Sequence, residues 1–274
     1  MSVQFTGSST TSLLVPSAAR PVATIYPLTV GGWYKWRAAS GVTEAGFAVG
    51  GTAGGAIELL KNAADANTFV DEVGAAEVTL TGLFQANTWI HIIARFISST
   101  NRRYSGLRFG NTFVTGSAAG AKTFTTSIVS LGCWVDAVND PMTGNVAEFW
   151  WCDSDIFLGS ANITKDLHQS IAFNGPFSYL PIARNLKYYH SFNAAHKHLN
   201  FPEMFYGVGG IYRGRNFLWT ESSTRPSWGP HPPGLVNFKR DKHLPNTENF
   251  FFIAAAAAAT ARNTPRKPMV GVGF

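Results

Sequence analysis

Along the first two thirds of the chain, apolar and polar residues alternate in short runs separated by Gly, Ser, Thr, Asn and Asp. Period-two alternation of this kind marks strands that bury one face. Val3 to Val15 reads as a strand, a Ser/Thr turn over residues 8–12 and a second strand; Leu28 to Trp36 follows. Phe47 to Val49, Ala56 to Leu60, Thr68 to Val73, Val78 to Leu80, Trp89 to Phe96 and Tyr104 to Phe109 continue the series. Phe113-Val114, Lys122 to Phe124 and Ser127 to Trp134 complete it. About a dozen strands with no long helix between them predict an all-β fold, a two-sheet antiparallel sandwich. Gly31-Gly32 interrupts an otherwise strong strand and predicts a bulge or a close backbone approach.

The period changes once, between Gly144 and Gly175. Asn145 to Trp151 alternates and carries large aromatics, which suits a strand. Ile163, Leu167 and Ile171 then fall four apart and form one apolar stripe on a short helix. Thr164 can cap that helix, Asp166 favours its N-terminal dipole, and Gly175-Pro176 stops it.

Beyond residue 180 the pattern loosens. Asn185 to Phe192 reads as one more strand, and Arg215 to Thr220 as a last short one. Ser222 to Asn246 holds too many prolines for regular structure and is expected to run extended over a surface. Glu248 to Asn263, with Phe250 to Ile253 ahead of six consecutive alanines, predicts a short helix. An isolated helix of that length is marginal in water, so it needs something to dock on. The basic tail behind it alternates apolar residues with glycine from Met269 to Phe274, a pattern a neighbouring subunit could capture as an added strand.

Charge sharpens this division. Residues 1–180 carry a net −2 and residues 181–274 a net +8, with 9 of the 14 prolines and 5 of the 7 histidines in the latter. Three segments follow: a sandwich over 1–180, a proline-rich basic extension over 181–246, and a C-terminal arm over 247–274. The opening MSVQFTGSST has neither the basic start nor the apolar run of a secretory leader, so none is expected. No run reaches 18 apolar residues, so no membrane insertion is expected. Cys133 and Cys152 fall on strands expected near each other, where they could pair or sit as reduced core thiols.

Several stretches, taken in order, resemble a known family. VQFTG (Val3 to Gly7), LTVGGWYKW (Leu28 to Trp36), ANTWIHIIARF (Ala86 to Phe96) and RRYSGLRFGN (Arg102 to Asn111) are similar to successive strands of LamG-like jelly-roll domains. Those domains belong to the concanavalin A-like lectin/glucanase superfamily and occur in phage and prophage proteins. Gly144, Val146, Ala147, Glu148 and Phe149, then Ile163, Thr164 and Leu167, resemble the family's final strand and the helix after it. The resemblance covers roughly residues 1–180 and implies a jelly roll, a phage context and a C-terminal segment packed back on the sandwich.

A glucanase needs clustered carboxylates facing one cleft. Glu148, Asp153 and Asp155 are the nearest set, but Glu148 and Asp153 fall on opposite faces of an ideal strand, so no catalytic residue and no enzyme activity are expected. Calcium, which the resemblance implies as the commonest ion, finds hard oxygen ligands in Asp136, Asn139 and Asp140. Ordinary turn chemistry accounts for the same residues, and no other cofactor or metal is indicated. His190, His196 and His198 match no zinc spacing. His91 is expected to pack in the core or on a sheet face. The run from Gly46 to Gly55 lacks the Gly-Lys-Ser/Thr ending of a phosphate loop and reads as a hairpin. The C-terminal Lys and Arg are dispersed among prolines and aromatics, so no nucleic-acid partner is expected.

The resemblance implies a non-enzymatic phage virion protein, a capsid or tail decoration or accessory subunit assembled in the host cytoplasm. It would form homo-oligomers and contact other virion proteins through its arm, anchored by Phe250, Phe251, Phe252, Ile253 and Phe274 with Arg266 and Lys267. The alternative is a fibre adhesin that binds cell-surface glycans. Any of Trp33, Trp36, Trp89, Trp134, Trp150 and Trp151 left exposed would stack on sugar rings.

Overall fold

The structure, a computed structural model, describes residues 2–7, 13–14, 26–37, 43–51, 55–61, 67–72, 76–110, 112–121, 128–133, 140–152, 154–157, 161–190, 218–219, 227–230 and 232–233. In chain order the strands are β1 (Ser2–Thr6), β2 (Leu13–Leu14), β3 (Leu28–Trp36), β4 (Glu44–Gly51), β5 (Gly55–Lys61), β6 (Asn67–Glu72) and β7 (Ala76–Thr81). Then come β8 (Ile90–Ser98), β9 (Asn101–Arg108), β10 (Thr112–Ala118), β11 (Ile128–Leu131) and β12 (Thr143–Cys152). Helix α1 (Lys165–Asn174), a 3₁₀ turn (Pro176–Ser178) and helix α2 (Leu180–Asn185) precede β13 (Leu186–His190), β14 (Leu218–Trp219) and β15 (Ser227–Gly229).

Two antiparallel sheets result. The larger runs β10-β9-β8-β3-β12-β1-β15, with β13 beside β12; the smaller runs β14-β2-β11-β4-β5-β6-β7. The fold is the expected all-β jelly-roll sandwich. Its main core lies between the sheets. Leu28, Val30, Tyr34 and Trp36 of β3 and Ile90, Ile92 and Phe96 of β8 point into it by the two-residue period. The Tyr34 hydroxyl is buried there, and loss of solvent drives its pKa well above the usual value. A cavity of about 10 Å³ between Val30, Tyr34, Phe47 and Phe96 is the size of one water molecule.

β3 and β8 are buried on both faces almost throughout. An antiparallel sheet normally leaves one face to water; here α1, α2 and the loop before them cover it. Thr29, Gly31 and Trp33 of β3 and His91, Ile93 and Arg95 of β8 therefore form a second buried layer. The molecule has three layers where two were expected.

β12 serves both layers through a bulge. Its register against β3 shifts between Ala147 and Trp150, and Glu148 sits at φ +49°. The extra residue reverses the faces: Val146 points inward before it, whereas Phe149 and Trp151 point inward after it, sending Trp150 outward. The same point is where β12 exchanges its neighbour β1 for β13. The predicted close approach at Gly31 is real: a Cβ there would lie 2.2 Å from the Trp150 ring.

One reading of the C-terminal region needs correcting. Ser227–Gly229, expected to run extended without regular structure, pairs with β1 as an edge strand. Three residues between Pro226 and Pro230 can still pair, because prolines at both ends of an edge strand remove no ladder bond. The Ser2 hydroxyl donates to the Pro230 carbonyl at 2.7 Å. β14 pairs with β2 in the other sheet. Both cysteines are fully buried as thiols; Cys152 Sγ lies 3.9 Å from the Ile182 carbonyl. The chain divides into Met1–Leu235 and Val236–Phe274, and the second part lies outside the described residues. So does the strand expected at Lys122 to Phe124.

Candidate functional site

Helix α1 forms where the sequence places it. Thr164 stands in extended conformation, and its hydroxyl accepts from the Leu167 amide at 3.4 Å; Asp166 occupies the first turn. Gly175, at φ +80°, ends the helix in a conformation that disfavours a side chain. Thr164→Ala is expected to lower stability by about 1 kcal/mol in urea unfolding. An unchanged midpoint would mean that the cap does not form in solution.

The buried stripe differs by one residue from the expected one. Leu167 is half-buried, whereas His168, Ile171 and Ala172 are fully covered. His168 faces two polar groups of the sheet. Its Nε2 lies 2.9 Å from Nδ1 of His91 on β8, and its Nδ1 lies 2.9 Å from Oγ of Ser105 on β9. Trp33 of β3 completes the contact: its indole N–H donates to the Ala172 carbonyl at 3.0 Å, and its ring meets His91 edge-on at 5.1 Å. Phe113 of β10 closes over His168 at 5.6 Å.

A neutral imidazole has one N–H and one bare nitrogen, so across 2.9 Å one ring donates and the other accepts, and the serine hydroxyl completes the chain in either direction. Burial holds His168 down to about 3, with a hydrogen bond to His91 working against it. Burial, and then the charge His168 would carry, holds His91 well below its usual value. These are the atom types of a serine–histidine relay, but Ser105 is 1% exposed and lies under the helix. The arrangement fastens a helix to a sheet.

A second fastening lies further along β8. Arg95, 1% exposed, grips Asp155 through Nε and Nη2, each at 2.9 Å, and donates from Nη1 to the Ala161 carbonyl at 2.8 Å. Its guanidinium lies 5.3 Å from the centre of the Phe157 ring, which stacks on Tyr179. One side chain thereby ties down the approach to α1. On the smaller sheet, Lys61 reaches Glu44 at 3.4 Å, and the other oxygen of Glu44 accepts from the Thr143 amide of β12 at 2.9 Å. That pair joins the two sheets.

The predicted sites fare unevenly. Phe250, Phe251, Phe252, Ile253, Arg266, Lys267 and Phe274 lie outside the described residues, as do Asp136, Asn139 and Asp153. Asp140 is half-buried at φ +48°, and its carbonyl accepts from the Ala45 amide at 2.8 Å, a turn role. Asp155 belongs to the Arg95 clamp, and Glu148 to the bulge. No cluster of three or more metal-ligating side chains occurs among the described residues. His91 packs on the sheet face as expected. Trp33, Trp36, Trp89, Trp150 and Trp151 are all buried, and Trp134 is outside the described residues. Among the described residues, no helix is long and apolar enough to cross a membrane.

The sequence reading missed His168 and Arg95. Each carried a signal: a polar residue beside the buried helical stripe, and a charge set inside the apolar run IHIIARFI.

The sequence matches no known family model and no curated protein. Solved structures with similarity include the mouse laminin α1 chain, domains LG4-5, at 13% identity and TM-score 0.39, spanning 55% of this chain and 40% of that one. A heptameric SAP-like pentraxin from Limulus polyphemus gives 12% identity and TM-score 0.38 over 64% of this chain and 82% of that one. The enzymatically active domain of tailspike protein 2 from bacteriophage CBA120 gives 13% and 0.43 over 70% and 32%. All are lectin/glucanase-like jelly rolls, and this chain spans under half of the laminin and tailspike chains it is aligned with.

Proposed function

We propose that this chain is a non-enzymatic structural subunit of a phage particle, a jelly-roll scaffold that assembles through residues 247–274. The observation that carries the reading is the covered outer face of the larger sheet. A glycosidase cleft needs carboxylates converging on an open face; here that face is filled by α1 and α2, pinned by His168 and Arg95. The large aromatics that would serve as sugar platforms are spent on packing, at least Trp33, Trp36, Trp89, Trp150 and Trp151. A domain packed on both faces of its larger sheet, followed by an apolar and basic arm, suits interlocking better than catalysis. The arm's phenylalanines supply anchors and its Lys and Arg supply attraction to the net −2 of residues 1–180.

Light scattering on the full chain and on a 1–246 truncation tests this. The expected result is an oligomer that becomes a folded monomer on truncation, with an unchanged circular dichroism spectrum. Assembly that survives truncation overturns the reading. So does a full-length monomer that binds on a glycan array, which would make the chain an adhesin.

A further inference from the structure

The polar chain beneath α1 fastens a helix to a sheet through two groups that each take up a proton in mildly acidic water. We propose that α1 is an acid-released cover: acidification detaches it from the larger sheet while the two-sheet core stays folded, uncovering the apolar face of Trp33, Trp89 and Leu107.

Hydrogen-bond arithmetic sets the trigger. The 2.9 Å contact between His91 and His168 is satisfied when both rings are neutral and still holds with one shared proton. With two protons, N–H faces N–H and the contact becomes repulsive. The surroundings offer little relief. On the same outer face lie Lys35 of β3, Arg95 of β8 and Arg103 of β9, with Lys165 and Asp166 in the first turn of α1 and Glu148 at the β12 bulge. Arg95 is committed to Asp155, and Arg103 donates to the Asn101 side chain at 3.1 Å. The face is cationic overall, so added positive charge is opposed. The hydrogen bonds described for the two rings go to each other and to Ser105.

The architecture makes the opening local. Ile171 packs with Ile93 and Trp150, and Ala172 with Trp33 and Trp89, in clusters distinct from the inter-sheet core around Tyr34 and Ile92. Units with their own small clusters open at less cost than the whole domain.

The direction follows from proton binding. Above about pH 6.5 the docked and released states hold the same protons, because free imidazole is neutral there too. Below it, the released rings charge while the docked rings resist, His168 held down to about 3 and His91 well below its usual value by burial. Two protons taken up on release favour opening about a hundredfold per pH unit.

Hydrogen exchange on the full chain at about pH 7.5 and about pH 4.5, with labelling times scaled for intrinsic rates, tests this. Peptides over 165–174 should lose protection at the lower pH while those over β3 and β8 keep theirs, and His168→Gln, with only His91 left to charge, should lose far less protection over α1 than the parent. Equal protection of α1 at both pH values overturns the proposal. So does simultaneous loss in α1 and β3, or release of His168→Gln at the parent's pH. Should His168→Gln fail to fold, side-chain ¹⁵N spectra of the parent decide. Both rings must charge in the interval where α1 opens; charging near 6.5 with α1 still protected refutes the cover.

Discussion

Arg95→Ala is expected to destabilise the fold by about 3 kcal/mol, the low end of the range for breaking a buried ion pair. Three donor contacts vanish together: two to Asp155 and one to the Ala161 carbonyl. The guanidinium stem also leaves Phe157 without its cationic neighbour. The low end applies because the Asp155 side chain keeps 16% of its exposure and can recover some hydration once its partner is gone. The attraction itself is not what is lost: most of the cost is a carbonyl that loses the Arg95 donor and a carboxylate that keeps only the long 3.4 Å contact from the Phe157 amide among those described. Replacing both partners by apolar residues, as in Arg95→Met with Asp155→Leu, should therefore recover most of the stability. Urea unfolding of the two single variants and the double variant at neutral pH measures it. A loss under about 1 kcal/mol for Arg95→Ala would place the pair in the class of solvent-screened surface bridges and refute the clamp.

What the sequence disclosed depends on the range of the interactions. Features fixed within a few residues were legible: Thr164 and Gly175 bound α1 because capping is a local exchange of hydrogen bonds, and Gly31 flagged a crowded strand because only a missing Cβ suits one. The third layer was not legible, because it depends on partners distant in sequence. His91 and His168 are 77 residues apart, and Arg95 and Asp155 are 60. The bulge at Glu148 was hidden for a related reason: it exists because β12 changes neighbours there. Alternation over Asn145 to Trp151 marks a strand without saying which face Trp150 or Trp151 takes; the inserted residue sends Trp150 outward and Trp151 inward. A three-residue strand between Pro226 and Pro230 has too little pattern to register, and only its pairing with β1 defines it.

Gly31→Ala should cost about 3 kcal/mol, a large loss for the addition of one methyl group. The new Cβ would lie 2.2 Å from Cζ2 and 2.3 Å from Cε2 of Trp150, far inside van der Waals contact. The ring cannot step aside: Trp150 is fully buried and packs among Ile93, Ile163, Ile171 and Ile182, so making room means prying the helical layer from the sheet. Gly32→Ala, one residue on and facing the inner core, is the internal control. Its Cβ would meet Phe149 and the Tyr34 hydroxyl at 3.4 Å, an ordinary contact, and a less flexible unfolded chain offsets any small strain. The expectation is a large loss at residue 31 and a change within about 1 kcal/mol at residue 32, by chemical denaturation. A second-site test separates steric conflict from lost strand propensity. Trp150→Leu alone empties a buried site and is itself destabilising, but no hydrogen bond is lost with it, since the Trp150 indole N–H has no partner among the described residues. In the Gly31→Ala background the same change removes the obstructing ring, so the double variant should be more stable than the sum of the two losses implies. Strict additivity would show that the indole does not lie over Gly31, and with it would fall the account of how the bulge at Glu148 seats Trp150 in the outer layer.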